Sequence, residues 1–238
     1  PNPAPLRVQP AAEDPSPAEA ELAPAFPRLD LPAKVDGSFL FAGDVRLPGL
    51  VYASIRHGPI GNPDLARFDA DAASSMTGLV GVVKSKRYLA AVATNWWTAE
   101  QALKRMRPVF SGPGAIQSVS AIELLEAAHD NVAPERTLDI GDADDLLARP
   151  DYAQSYSVAP AVHAAIETAS ATARFDGETL ELWIAAQAPE LTRRAAAKAI
   201  GISPQDVVLY PTASGGSFDA RLEKRHAIEV AQIAKEIG

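Results

Sequence analysis

The segment VVLYPTASGGSFDARLE, residues 207–223, is the stretch that decides the fold of this chain. Its apolar start at 207–210 predicts a strand, and residues from about 224 to 235 predict a helix. Between them stand Gly215 and Gly216, which have no Cβ atom and therefore allow another group to approach the backbone closely. On residue types alone, a tight turn and a ligand cradle both remain open, and a turn is the commoner use of such a pair.

The residues that lead up to this segment predict a domain of mixed strands and helices. Asp176-Gly177 between two apolar runs is a strong hairpin signal. Pro189 suits the first turn of a helix and Gly201 suits its end, so a helix is predicted between them. Strands are predicted at 152–158, 168–175 and 180–185.

An α/β unit is predicted in the first half of the chain, between about residues 34 and 110. A helix from Thr98 to about Met106 has two candidate N-caps, Asn95 and Thr98 itself. Strands are predicted at 38–42, 50–56, 78–83 and 88–93. Short helices are predicted at 70–75, 122–128 and 143–148.

The predicted domain organisation has four parts: an extended Pro/Ala-rich arm at 1–30, a first domain at 31–118, a linker with short helices at 119–150, and a second domain at 151–238. The arm is predicted because its eight prolines prevent a continuous helix or strand. The chain does not begin with Met, and it stops one helix after the glycine pair. We therefore expect that the original N-terminus has been removed and that the second domain is incomplete.

Composition excludes several classes of function. The 238 residues carry a formal net charge of −8, whereas a nucleic-acid partner requires a basic face, so no nucleic-acid partner is expected. No apolar run is long enough for a membrane span. The chain has no cysteine, which excludes disulfides, zinc–thiolate sites and iron–sulfur ligation within it.

Residue types that carry chemistry are sparse and scattered. No histidine lies in a metal-ligand motif, and neither a P-loop lysine nor a nucleophile elbow accompanies the glycine pair. We therefore predict no catalytic residue and no metal ligand in this chain. Trp96, Trp97 and Trp183 are predicted to be core or interface anchors rather than stacking platforms. The histidines are His57, His129, His163 and His226.

Several segments, taken in order, resemble one enzyme family. The segments RLDLPAKVDG (28–37) and FAGDVRLPGLVYA (41–53) resemble the opening of the large subunit of molybdenum hydroxylases. The match is closest to the isoquinoline 1-oxidoreductase beta-subunit-like branch of the xanthine oxidase / aldehyde oxidase family. Further segments resemble its motifs in the same order: 78–83, 89–93, 97–103, YSVAP at 156–160 with His163 and Glu167, Trp183 with Gln187 and Pro189, and 215–223.

This resemblance implies an α+β fold: an α/β hammerhead domain at 31–118, then the first, incomplete part of a molybdopterin-binding domain at 151–238. Family members oxidise aldehydes or hydroxylate N-heterocycles with a molybdopterin cofactor, for which the resemblance implies the cytosine dinucleotide form. The implied partners are the C-terminal remainder of the large subunit and an iron–sulfur subunit, and no cofactor is expected on this chain alone. The branch favours the periplasm over the cytoplasm, although no export signal is visible.

The resemblance also assigns a cofactor-binding role to Gly215, Gly216, Ser217, Phe218 and Asp219. In the family this loop approaches the metal and the pterin, and its backbone amides donate hydrogen bonds there. Two residues depart from the pattern: Ser217 replaces a third glycine, and Asp219 replaces the glycine after Phe. A carboxylate at Asp219 would repel an anionic cofactor. The alternative hypothesis is therefore a non-catalytic relative, with a degenerate loop, that serves assembly or interaction.

Overall fold

The structure, a computed structural model, describes residues 29–59, 61, 63–112, 118–131, 135, 140–141, 148–154, 156–159, 161 and 164–238. In the helix at 118–131, side chains are described only from 120 to 129. The chain divides into two compact units, one ending at Leu40 and the other spanning Phe41–Gly238. Except for its last two residues, the predicted arm at 1–30 lies outside the described residues.

Among the described residues of the first unit, helix α1, Leu31–Asp36, is the regular element. Pro32 lies in its first turn, and Gly37 ends it with a φ of 80°, a left-handed conformation that glycine adopts without a steric penalty. The Lys34 ammonium lies 2.6 Å from the Asp30 carboxylate and 4.9 Å from the centre of the Phe39 ring. These local contacts stabilise a short helix that buries none of its residues.

The second unit contains the other strands and helices of the described residues. Its strands are β1 Tyr52–His57, β2 Asp64–Arg67, β3 Leu79–Lys84, β4 Tyr88–Ala93, β5 Val109–Ser111, β6 Ala171–Phe175, β7 Leu180–Ile184 and β8 Val207–Pro211. Its α-helices are α2 Trp96–Met106, α3 Ser118–Asn131, α4 Pro189–Ile200 and α5 Arg225–Ile237. Short 3-10 helices are formed by Ala42–Asp44, Asp71–Ala73, Pro204–Asp206 and Ala220–Leu222.

Strand β4 is the centre of the first sheet, which has the order β1-β4-β3 with both neighbours antiparallel to β4. Every residue of β4 is buried. A strand that is covered on both faces has an almost continuous apolar sequence, and YLAAVA fits that description. Helix α2 covers one face, where Leu103 and Met106 pack against Leu89. On the other face, Val92 packs with Ile233 of α5.

The second three-stranded sheet has the order β6-β7-β8. β6 and β7 form the predicted antiparallel hairpin, and β7 runs parallel to β8, with α4 as the crossover. The core of this part consists of Leu180, Leu182, Ile184, Ala196, Ala197, Ile200, Val207, Ala227 and Ala231. α4 and α5 thus pack against this sheet through small residues, which allow close approach of the helices.

Helix α5 contacts both sheets. Ala227 and Ala231 belong to the core of the second sheet, whereas Ile233 belongs to the core of the first. The fit is close, because a Cβ added at Gly81 of β3 would lie 2.8 Å from the Cδ1 atom of Ile237. A separate two-stranded sheet pairs β2 with β5. The loop between β8 and α5 therefore ends in a helix that packs against both three-stranded sheets.

The mixed composition of helices and sheets is confirmed, as is Asn95 as the N-cap of α2, where its Oδ1 accepts the Thr98 N–H at 2.8 Å. The strand predicted at 38–42 is wrong: Phe41 makes an isolated bridge with Ala213, and a 3-10 turn follows, with the Phe41 N–H bonded to Asp44.

The strand predicted at 152–158 is also wrong within its described residues. Tyr152, Tyr156 and Val158 are all largely exposed and pair with no strand among the described residues. The helix predicted at 143–148 lies outside the described residues except for its last position. Strands β2 and β5 were not predicted. Within the described chain, none of the helices combines the length and apolar character that a membrane span requires.

Candidate functional site

The loop between β8 and α5 brings the five predicted site residues, 215–219, together in one partly exposed segment. Its backbone is unusual, because Gly216 has a φ of 115°, Phe218 of 47° and Asp219 of 64°. Left-handed values at two consecutive non-glycine residues cost about 1–2 kcal/mol each. Such conformations persist only where surrounding contacts hold them in place. Two groups of contacts do so here, one on each side of the loop.

Glu167 forms the first group of contacts. Its Oε2 accepts the N–H of Gly215 at 2.7 Å, and its own N–H donates to the Gly215 carbonyl at 3.5 Å. A Cβ added at Gly215 would lie only 2.6 Å from the Cβ of Glu167. The close approach that this glycine allows is therefore an approach to Glu167, 48 residues earlier in the chain. Glycine is required at position 215 for this packing whether or not a ligand is bound.

Arg221 completes this side of the loop. It is only 4% exposed, and its Nη2 donates to the carbonyl of Glu167 at 2.9 Å while lying 3.5 Å from the Glu167 carboxylate. A buried guanidinium is tolerated only when it is paired and hydrogen-bonded. Arg221 therefore anchors residues 167 and 168 beneath the loop, with a longer bond of 3.4 Å to the carbonyl of Thr168.

Gln187 forms the second group of contacts. It lies between the end of β7 and the start of α4. Its side-chain Oε1 accepts a short hydrogen bond from the Ser217 hydroxyl, and its Nε2 donates to Asp219 Oδ1 at 3.0 Å. Its backbone N–H donates to the Arg221 carbonyl at 3.2 Å. The two residues that depart from the family pattern are thus the two that this glutamine binds.

The loop combines an exposed aromatic ring with backbone N–H groups that lack an acceptor in the described part of the chain. The Phe218 side chain is 70% exposed. The N–H groups of Gly216, Ser217, Phe218 and Asp219 donate to no acceptor in the described part of the chain. Successive free N–H groups in a segment that includes left-handed residues can form a concave site for an anion.

Behind the loop, several buried polar atoms have no partner among the described residues. They include Glu167 Oε1, Arg221 Nε and His226 Nε2. Burial lowers the pKa of His226 below its usual value, and the positive charge of Arg221 acts in the same direction against a partial opposing effect of the Ala185 backbone. The lowered pKa favours the neutral form of the His226 ring.

A second polar group lies where β1, β4 and α5 meet. His57 Nε2 is 2.7 Å from Oε1 of the buried Glu229, and the Tyr88 hydroxyl donates to Gln232 Oε1 at 2.9 Å. Burial, and then the nearby carboxylate of Glu229, raise the pKa of Tyr88 to about 12. These side chains line a cleft of about 470 Å³ that also includes Arg225. The sequence did not suggest this grouping, since His57 and Glu229 are 172 residues apart.

Other residues singled out in the sequence have different outcomes. His163 lies outside the described residues, and no group of three metal-ligating side chains forms within the described chain. Trp96 and Trp97 are 53% and 64% exposed, so the core interpretation is wrong for them, and their role as interface anchors stays a prediction. Trp183 stacks on Tyr210 with ring centres 4.9 Å apart. Neither Glu167 nor Gln187 was predicted to hold the loop, although both belong to the motifs quoted above.

Comparison with known proteins supports these observations. Residues 124–238 match the molybdopterin cofactor-binding domain family. The chain is 27% identical over 226 residues to the beta subunit of isoquinoline 1-oxidoreductase from Brevundimonas diminuta, covering 89% of this chain and 29% of that protein. It is 27% identical over 179 residues to a nicotinate dehydrogenase subunit from Pseudomonas putida, covering 70% of this chain and 15% of that protein.

Solved structures share the fold. Quinoline 2-oxidoreductase from Pseudomonas putida 86 superposes with a TM-score of 0.66 and 16% identity, over 90% of this chain and 33% of that one. Aldehyde oxidoreductase from Desulfovibrio gigas superposes with a TM-score of 0.61 and 15% identity, over 87% of this chain and 29% of that one. This chain thus spans about a third or less of the length of these proteins. Residues 124–238 match the molybdopterin cofactor-binding domain family, and the resemblance of the chain to molybdenum hydroxylases of the xanthine oxidase and aldehyde oxidase family is confirmed.

Proposed function

We propose that this chain is part of the large subunit of a molybdopterin-dependent oxidoreductase that oxidises an aldehyde or hydroxylates an N-heterocycle. The observation that carries the proposal is the loop 215–219, which lies inside the family match and combines an exposed Phe218 with backbone N–H groups that have no acceptor among the described residues. In this proposal, Gly215, Gly216, Ser217, Phe218 and Asp219 form one edge of the cofactor site.

The proposed domain organisation follows the family. Residues 31–118 correspond to the α/β hammerhead domain, 119–150 to a linker, and 151–238 to the first part of the molybdopterin-binding domain, with 1–30 as an extended arm. The α2-covered sheet of the first half and the β6-β7-β8 sheet of the second support a boundary between them. Helix α5, which contacts both sheets, is the proposed connection through which the two domains act together.

The residues present at the loop fit a cofactor that carries phosphate and pterin groups. Four consecutive N–H donors suit anionic oxygen atoms, and Phe218 supplies an apolar ring. Asp219 is the discordant group, because its carboxylate is negative. One of its oxygens, however, already accepts a hydrogen bond from Gln187, which offsets part of that cost.

In the bound state the cofactor supplies the redox centre at which oxygen from water is inserted into the substrate. The work of this chain is to bind and orient. Backbone N–H groups of the loop hold the cofactor edge, Glu167 and Arg221 fix the loop from beneath, and Phe218 keeps water from one side of the site. No proton transfer is assigned to a side chain of this segment.

The remaining parts of the enzyme belong to the same proposal. The cytosine dinucleotide form of the cofactor, a C-terminal remainder of the large subunit and an iron–sulfur subunit are proposed on the family resemblance. The coverage of 29% of the isoquinoline 1-oxidoreductase chain supports a site completed by polypeptide beyond this segment. We accordingly expect no cofactor and no hydroxylase activity on residues 1–238 alone.

A second candidate function is a non-catalytic relative that serves assembly or interaction. The observation in its favour is the loop itself, because Ser217 and Asp219 add side chains and a negative charge where the family has glycine. In that case Gln187 would bind these two residues simply to stabilise a surface turn.

Purification of the native complex through an affinity tag on this chain distinguishes the two candidates. We expect intact-mass analysis to find a cofactor-bearing partner or continuation, elemental analysis to find molybdenum, and chemical oxidation to release a fluorescent pterin. A complex free of molybdenum and pterin would support the non-catalytic alternative. Turnover of an aldehyde or N-heterocycle by purified 1–238 alone would contradict the expectation that this segment needs the rest of the site.

A further inference from the structure

We propose that Gln187 is a positioning residue that clamps the loop through Ser217 and Asp219, the two positions at which the loop departs from its family. The clamp makes a carboxylate at position 219 compatible with a ligand-facing loop. Its contribution to cofactor binding rests on the proposed function above, but its contribution to the loop conformation does not.

The contacts that define the clamp come from one residue. A carboxamide has an acceptor end and a donor end, and Gln187 uses both. Its oxygen accepts from Ser217, and its nitrogen donates to Asp219 at 3.0 Å. Its backbone N–H adds a third bond to the Arg221 carbonyl at 3.2 Å. The hydrogen bonds therefore bracket Phe218 on both sides.

The backbone of the loop explains why a clamp is needed. Phe218 and Asp219 both have positive φ values, 47° and 64°, which L-residues rarely adopt. Where the family has glycine at position 219 this conformation carries no steric penalty, whereas aspartate carries one. The hydrogen bond between the Asp219 carboxylate and Gln187 holds the residue in that conformation.

The clamp also involves the negatively charged side chain of Asp219. The N–H groups of 216–219 have no acceptor among the described residues, while the Asp219 carboxylate beside them would repel an anion. Because Gln187 donates to Oδ1, one oxygen of the Asp219 carboxylate is engaged by this side chain. Ser217 and Asp219 are thereby linked to Gln187 as a unit, so that changing one member alone should disturb the loop.

A reciprocal exchange of residues tests this inference on the full 238-residue chain. Gln187→Glu keeps the acceptor for Ser217 but places a carboxylate against the carboxylate of Asp219. In Gln187→Glu/Asp219→Asn a hydrogen bond between positions 187 and 219 re-forms with the opposite direction of donation. The amide introduced at position 219 donates to the carboxylate introduced at position 187. Gln205→Glu is the matched control, since Gln205 also accepts a hydrogen bond from a serine, Ser203, but does not contact the loop.

The measurement is amide hydrogen exchange of residues 220–222, whose N–H groups donate to Ser217 and Asp219, read by mass spectrometry. We expect Gln187→Glu to raise the exchange rate about tenfold, and the double variant to return it to within about twofold of the wild-type rate. Gln205→Glu should leave the rate unchanged. Gln187 is exposed, so the substitution should not unfold the chain, and circular dichroism checks this. Unchanged exchange in Gln187→Glu, or a double variant as fast as the single, would overturn the clamp.

Molybdenum content of the native complex provides the second measurement. Gln187→Glu should lower it, and the double variant, which moves the carboxylate from 219 to 187, should recover it. If the wild-type complex holds no molybdenum, the proposed function fails, and the exchange data still decide the clamp. If the wild-type complex holds molybdenum and Gln187→Glu retains wild-type content and exchange, the clamp fails while the proposed function stands.

Discussion

The two sides of the loop are built differently. On one side, the side chains of Glu167 and Arg221 are 17% and 4% exposed, and a charged pair is sealed beneath Gly215. On the other side, Gln187 and Asp219 are exposed, and a neutral amide donates to a carboxylate at the surface. The buried side fixes where the loop lies on the domain, whereas the exposed side sets the conformation of the residues that would face a ligand. Substitutions on the buried side should therefore cost stability, and those on the exposed side should mainly change the loop.

The largest effect is expected at Arg221. Arg221→Met removes the guanidinium and leaves the Glu167 carboxylate and its carbonyl beneath the loop without that partner. We expect a loss of about 3–5 kcal/mol in the free energy of unfolding, the usual range for breaking a buried pair. Urea denaturation measures it. Arg225→Met is the control, since Arg225 is exposed, and equal losses in the two variants would contradict the assignment of Arg221 as a buried anchor.

Gly215→Ala comes next. The added methyl group would lie 2.6 Å from the Cβ of Glu167, a separation at which backbone or side chain must move. Overpacking of this kind costs about 1–3 kcal/mol. Gly43→Ala is a suitable comparison, because its added Cβ would lie 3.6 Å from Ser170 Oγ, an ordinary contact. If both variants unfold at the same urea concentration, Gly215 is not needed for the approach to Glu167.

The third prediction concerns His226 and the free energy of unfolding as a function of pH. Its pKa is lowered by burial from the usual value of 6.5, so between pH 6.5 and the lower native pKa the unfolded chain binds a proton that the folded chain does not. Stability should therefore be highest above that usual value and should fall as the pH drops below it. The slope for one proton is at most about 1.4 kcal/mol per pH unit. His226→Gln should flatten that part of the profile, and a parallel profile in wild type and variant would exclude His226 as the cause.

The smallest effect is expected at Ser217. Ser217→Ala removes one hydroxyl that donates to Gln187 at the surface. Loss of one such hydrogen bond should lower the free energy of unfolding by about 1 kcal/mol or less. Amide exchange at 220–222 should nevertheless rise measurably, because the loop loses one of the two side-chain bonds that Gln187 makes to it. A drop in stability as large as that of Arg221→Met would contradict the division between the two sides.

The sequence predicted those parts of the fold that local signals determine. Asp176-Gly177 defined the β6–β7 hairpin, Pro189 and Gly201 bounded α4, and the apolar run at 88–93 identified β4. These signals succeed because a turn, a cap or a doubly covered strand restricts the residue types at the positions themselves.

Long-range contacts determined what the sequence did not predict. The partners of the loop, Glu167 and Gln187, lie 48 and about 30 residues away, and no local pattern identifies them. The apolar residues at 38–42 suggested a strand, but among the described residues no neighbouring strand pairs with them apart from one bridge at Phe41. The exposure of Trp96 and Trp97 also depends on tertiary packing, since aromatic residues in a helix are as compatible with a core as with a surface.

The central claim is that the loop 215–219 faces the molybdopterin cofactor. The most direct test compares amide hydrogen exchange in the native complex before and after loading with molybdenum cofactor. We predict that residues 216–219, whose N–H groups have no acceptor among the described residues, become protected on loading, while the core strand β7 stays unchanged. A loaded complex in which 216–219 exchange as fast as in the cofactor-free form would contradict the claim.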